Sequence, residues 1–218
     1  MARRAGVLLS TAILSTLTLA ACGTDGWAAD RVPPPARGAL ADGFLPSSPP
    51  APESTIVPAA GSWDGVRPAP GYRVVLLTAG DDQPTATLSE AVREWADEEG
   101  VDLRTVEADE DLIDGIVDAM DLNPDLIVSV GNDLVDPLAT VSASHLAQPF
   151  LVLGAEIPEP TSNVTAVTWA GASFRGEGLV TSTPYDAESF TTARSADALR
   201  AGVAAVLHDL TGIVIWIS

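Results

Sequence analysis

From Gly71 onward the chain alternates short apolar runs with stretches whose apolar residues recur every three or four positions, the pattern of strand–helix–strand units. Residues 73–79 (RVVLLTA) are almost continuously apolar, as expected of a parallel strand buried on both faces. A helix is expected next. Thr87 and Glu90 form a capping box, Leu88, Val92 and Trp95 recur at helical spacing, and Gly100 supplies the stop. Residues 101–106 read as strand two. Leu112, Ile113, Ile116, Val117 and Met120 then share one face of a second helix that stops before Asn123-Pro124. Residues 125–130 (DLIVSV) are strand three, opening into Gly131-Asn132-Asp133. A third helix is expected over residues 134–145, strands four and five over 150–153 and 164–169, a helix over 196–208 and a last strand over 213–217. The pattern predicts one α/β domain: a doubly wound, mostly parallel sheet of about six strands, right-handed crossovers, and helices on both faces.

The N-terminal part follows different rules. Arg3 and Arg4 precede an apolar run over residues 7–21, the length of a signal-peptide core and short of the roughly 20 residues that span a bilayer. The run closes with Leu19-Ala20-Ala21-Cys22, which resembles the bacterial lipobox. That resemblance implies cleavage before Cys22 and diacylglycerol on its sulfur. An ordinary secretory peptide with an incidental cysteine is the other reading, but the only thiol of the chain stands at this position. The expected division is a lipoprotein signal peptide at 1–21, lipidated Cys22 with a Pro/Ala-rich tether at 22–70, and the α/β lobe at 71–218. Ten of the 17 prolines fall within 23–70, a composition that favours extended polyproline II and a semi-rigid spacer. Trp27, Phe44 and Trp63 are unusual in a spacer. The folded domain, a membrane interface and open solvent are the destinations open to them.

Composition narrows the function. Asp and Glu number 30 against 11 basic residues, all arginine, for a net charge of −19. Nucleic-acid binding and charge-driven docking on anionic lipid are disfavoured. The absence of lysine excludes Schiff-base chemistry, one cysteine excludes an intramolecular disulfide, and two histidines are too few for a histidine-rich metal centre. No cofactor, metal site or catalytic residue is expected.

In an open parallel sheet, ligands bind outside the carboxyl ends of the strands at the switch point. Here that rim carries Gly80-Asp81-Asp82-Gln83, Gly131-Asn132-Asp133 and Gly154-Ala155-Glu156. Gly80, Asp81, Asp82, Asn132 and Asp133 are the candidate contacts. Acidic side chains disfavour phosphate and carboxylate ligands and suit a neutral polyol, a nucleoside or a cation. The plainer alternative is that they cap helices, Asn132 in particular. Three sharper readings fail on named residues. A dinucleotide fingerprint is missing from Thr78-Ala79-Gly80-Asp81-Asp82-Gln83, a receiver domain needs a lysine, and Gly171-Ala172-Ser173-Phe174-Arg175 lacks the second glycine of a hydrolase elbow. His145 and His208 are expected near helix C-termini, in structural roles.

The segments Asp125-Leu-Ile-Val-Ser-Val-Gly131, Asn163-Val-Thr-Ala-Val-Thr-Trp169 and Ala172-Ser-Phe-Arg-Gly176 resemble the basic membrane protein (BMP) family, solute-binding lipoproteins of ABC importers. The resemblance covers about residues 71–218. It implies a type I periplasmic-binding-protein lobe on the extracytoplasmic face of the cell membrane, anchored through acylated Cys22, that binds a small neutral solute without catalysis. In the family, the loop after strand one carries Ser-Phe-Asn where this chain has Gln83-Pro84-Thr85, so the ring that stacks on a base is replaced. Trp169 is the other ring near that rim, and a core position is its simpler role. Residues 177–194 read as an insertion. Family members have two lobes, and residues 71–218 correspond to the first. The alternative function is an interaction lipoprotein whose rim meets a transporter or sensor ectodomain.

Overall fold

The computed structural model describes residues 26–28, 31–157, 159–173 and 183–218. Its strands are β1 (Thr55–Ile56), β2 (Arg73–Thr78), β3 (Asp102–Glu107), β4 (Leu126–Val130), β5 (Phe150–Leu153), β6 (Val164–Thr168) and β7 (Ile213–Trp216). They form one parallel sheet in the order β1-β7-β6-β5-β4-β2-β3. The apolar runs become central strands: every residue of β2, β4, β5 and β6 is buried. In β3 no residue is fully buried, and exposed and half-buried positions are mixed, as an edge strand allows.

Four helices cover the sheet: α1 (Gln83–Glu99), α2 (Leu112–Asp121), α3 (Val135–Ser142) and α4 (Thr192–Val206). Leu88, Val92 and Trp95 of α1 pack with Leu199 and Val203 of α4 on one face, over Leu76, Val128 and Leu151. Ile116 of α2 and Leu138 of α3 cover the other face with Leu77, Ile127 and Val152. Crossovers β2–α1–β3, β3–α2–β4 and β4–α3–β5 share one hand, because direction and face reverse together after β3. The β6–α4–β7 crossover steps in the direction opposite to β2–α1–β3 yet lies on the same face, so its hand is opposite. The expectation that every crossover is right-handed is therefore corrected at one connection.

Helix starts also moved. α1 begins at Gln83 rather than at a Thr87 cap, because Asp82 accepts the Thr85 N–H (3.1 Å) and Thr85 Oγ1 (2.9 Å), and Pro84 suits a first turn. Thr87 lies inside the helix, its hydroxyl donating to the Gln83 carbonyl at 2.9 Å. α4 begins at Thr192, capped by Thr191, within the stretch read as an insertion.

The largest departure lies in residues 31–70. They do not form a spacer away from the domain. Phe44 and Trp63 are buried in the α1/α4 core with Ile56, and β1 adds a seventh strand to the sheet beside β7. Arg37 and Arg67 exchange backbone hydrogen bonds (2.8 and 2.9 Å), and the Ala59 N–H donates to the Gly43 carbonyl at 2.9 Å. Most of these residues stay exposed, and burial of Phe44, Ile56, Trp63 and Val66 supplies the driving force that docks the segment. Cys22 and the apolar run before it lie outside the described residues. No helix among the described residues is long and apolar enough to cross a membrane.

Candidate functional site

Because the chain steps from β2 outward to β3 and returns to β4 on the other side of β2, the switch point falls between β2 and β4. A cavity of about 410 Å³ opens there, lined by Asp82 and Thr85 after β2, Asn132 and Asp133 after β4, Gly154 and Ala155 after β5, and Ser173, Tyr185 and Phe190 after β6. That volume lies within the range usual for small-molecule sites.

Local chain geometry builds each wall. Gly131 has φ 109°, and a Cβ there would lie 2.4 Å from the Ala79 carbonyl oxygen, so only glycine lets the β4 loop approach the end of β2 this closely. It hands over to a single turn, Asn132–Leu134, that leaves Asn132 and Asp133 exposed on the rim. Asn132 makes no capping hydrogen bond, so the capping alternative does not hold for it. Asp82 does cap α1, and it also faces the cavity. Of the five candidate residues, Asp82, Asn132 and Asp133 line the cavity, whereas Gly80 and Asp81 are exposed beside it and do not.

The opposite wall comes from chain that follows β5 and β6. The Ser173 N–H donates to the Gly154 carbonyl and the Glu156 N–H to the Ser173 carbonyl, both at 3.1 Å, which ties the two loops together. The Asp186 N–H donates to the Gly171 carbonyl at 2.9 Å and holds the segment bearing Tyr185 and Phe190. Gly154 has φ 70°, and a Cβ there would meet Phe190 Cε1 at 2.6 Å, so the ring seats directly on that backbone. Trp169 stacks edge-on against Phe190 at 4.9 Å and donates its indole N–H to Ser189 Oγ at 3.0 Å. It is a core residue rather than a cavity wall.

Tyr185 and Phe190 are the rings the sequence did not reveal at this site. The only signal available was their aromatic character within an otherwise polar segment. Burial, and then the Asp82 and Asp186 carboxylates, push the Tyr185 phenol up, so it stays a hydrogen-bond donor. Burial likewise raises Glu156, which is itself buried. The cavity thus presents apolar ring surface on one side and carboxylate, amide and hydroxyl groups on the other.

The Thr85 hydroxyl donates to the Asp82 carboxylate at 2.9 Å beside the cavity, but that contact belongs to the cap of α1, and no histidine is among the described lining residues. The Nδ1 atoms of His145 and His208 sit 3.0 and 2.9 Å from the Val141 and Ala204 carbonyls, near the C-terminal ends of α3 and α4. A carbonyl can only accept, so Nδ1 carries the proton in each ring. Both rings lie at the end of the sheet away from the cavity. Among the described residues, no group of three or more His, Cys, Asp or Glu gathers as a metal site.

No family model and no curated protein matches the sequence. Solved structures do. An ABC transporter solute-binding protein from Aeropyrum pernix K1 aligns at 23% identity and TM-score 0.39, over 45% of this chain and 29% of that one. A putative lipoprotein fragment from Peptoclostridium difficile 630 aligns at 17% identity and TM-score 0.45, over 62% of this chain and 98% of that one. A periplasmic ribose ABC transporter protein from Conexibacter woesei DSM 14684 aligns at 17% identity and TM-score 0.37, over 68% and 54%. The chain spans only 29% and 54% of these two transporter proteins' length. At such identities and scores the likenesses carry no argument about function, which rests on the cavity.

Proposed function

We propose that this protein is an extracytoplasmic lipoprotein of the BMP solute-binding type, anchored through acylated Cys22, that holds a small neutral solute in the switch-point cavity for ABC-type uptake. A nucleoside or polyol is the class that suits it. The carrying observation is the cavity itself, in which the rings of Tyr185 and Phe190 face Asp82, Asn132 and Asp133. A sugar or nucleoside offers an apolar face to such rings and hydroxyl donors to such acceptors. An anionic ligand would meet Asp82 and Asp133 with no cationic side chain among the described lining residues. The ligand leaves unchanged: the Thr85–Asp82 contact serves as the α1 cap, and no histidine stands among the described lining residues to act as a base.

A thermal-shift panel of nucleosides, sugars, amino acids and divalent cations on residues 23–218 tests the reading. Ligand at about a hundred times its Kd should stabilise the fold by about 2.7 kcal/mol. A saturable shift with nucleosides or sugars is expected. A shift with amino acids or cations alone would reassign the ligand class. A flat panel from a cooperatively melting protein would replace solute binding with the interaction-module reading. The anchor is tested separately: Cys22→Ala should move the protein from the detergent to the aqueous phase on partitioning.

A further inference from the structure

The first described residues are clamped to the end of the sheet opposite the cavity. Trp27 is buried, and its indole N–H donates to the Asp102 carboxylate at 2.6 Å. The Arg104 guanidinium lies 4.3 Å from the centroid of its ring and that of Arg73 5.8 Å. Arg73 also donates to the carbonyls of Gly26 and Trp27. A few residues on, Arg31 pairs with Asp125 and donates to the Gly71 carbonyl at 2.8 Å. Arg73, Asp102 and Asp125 stand at or just before the first residues of β2, β3 and β4, so these contacts all lie at the base. The cavity lies at the other ends of the same strands.

Cys22 is four positions before Gly26, a separation that fully extended chain spans with about 14 Å at most. A strand of six residues adds about 20 Å between base and rim. The Pro-rich residues that would have formed a long leash come after the clamp and fold back onto the domain. Charge does not hold the base to a bilayer, because the chain carries −19 and anionic lipid repels it. Chain reach does.

We infer that the acylated protein sits with the base of its sheet against the bilayer and its cavity opening away from it, held in this pose by the Trp27 clamp. The inference rests on lipidation at Cys22. Solute then enters from the side facing away from the membrane, and a membrane-embedded partner must reach up beside the domain to meet the rim.

Acylation consumes the only native thiol, so one introduced cysteine can carry a fluorescent donor alone. Asp121→Cys at the base end of α2 and Asp109→Cys at the rim are both exposed positions. The lipidated full chain, in phosphatidylcholine vesicles bearing an acceptor on the headgroups, should show several-fold stronger energy transfer from 121 than from 109. Equal transfer from protein that still floats with the vesicles would overturn the fixed pose while leaving anchoring intact. Protein that does not float would overturn the lipoprotein reading, and the inference with it. Trp27→Ala, checked for cooperative melting, should bring the two transfer efficiencies together, as should Asp102→Asn to a smaller degree. An undiminished difference in both variants would overturn the role of the clamp.

Discussion

The two ends of the sheet treat polar groups in opposite ways. At the base they are consumed by one another. Asp125 accepts the Arg73 N–H at 2.8 Å and pairs with Arg31. Asn163 Nδ2 lies 3.2, 3.1 and 2.9 Å from the carbonyls of Ser142, His145 and Gln148, closing the turn after α3, while its oxygen accepts the Thr161 hydroxyl at 2.7 Å. At the rim the Asn132 and Asp133 side chains stay exposed and hydrogen-bond to no other described residue. Polar groups that are buried must be paired, and those at a binding rim are left for a ligand. On the proposed function, stability is therefore expected to reside at the base and affinity at the rim.

That contrast predicts a graded series. Phe44 is 1% exposed. Phe44→Ala should destabilise the fold by about 3–5 kcal/mol in chemical denaturation. A spacer residue would cost nothing, so a loss under about 0.5 kcal/mol would return residues 31–70 to a tether. Next comes Gly131→Ala, which forces φ 109° on a residue with a Cβ and sets that Cβ against the Ala79 carbonyl. It should cost about 2–4 kcal/mol and abolish solute-dependent stabilisation, because it pushes apart the two loops that make the cavity.

Asp133→Ala should instead leave the melting midpoint within about 0.5 kcal/mol of the parent while weakening solute binding roughly tenfold by calorimetry. Asp82→Ala should do both, losing about 1 kcal/mol of stability with the α1 cap as well as affinity. If Asp133→Ala melts early and binds normally, the assignment of stability to the base and affinity to the rim is wrong.

The smallest expected effect is one of pH. Burial raises Glu156 above the usual 4.5. The folded state therefore holds its proton to higher pH than the unfolded chain does. Its contribution is fully present below pH 4.5 and is lost as pH rises through the folded value. Glu156→Gln should be more stable than the parent at neutral pH, and the gain should vanish in a melt below pH 4.5. A gain independent of pH would place the effect in packing instead.

Much of the fold was legible because parallel strands buried on both faces leave an apolar run that periodicity detects. All six strands expected from residue 71 onward are present, with no end shifted by more than one residue. Two-residue β1 was not legible, since Thr55–Ile56 has no run of its own and becomes a strand only by pairing with β7. Helix starts were misplaced where two caps competed. Asp82 and Thr87 both satisfy the rules for a first turn, and only the three-dimensional path after β2 selects Asp82.

The candidate site divides in the same way. Asp82, Asn132 and Asp133 were reachable because topology alone sends the ends of β2 and β4 to the switch point. Gly80 and Asp81 share those loops but turn away from the cavity, and Tyr185 and Phe190 arrive from chain about fifty residues further on. By itself the sequence determined the alternation of strands and helices, the acidic rim and the lone Cys22, because each is a local pattern of residue types. Which residues close the cavity, whether the Pro-rich segment is a leash or a wall, and which end of the sheet the chain start is clamped to were decided only by tertiary structure. Those outcomes depend on burial and pairing between residues tens of positions apart, and no local pattern encodes them.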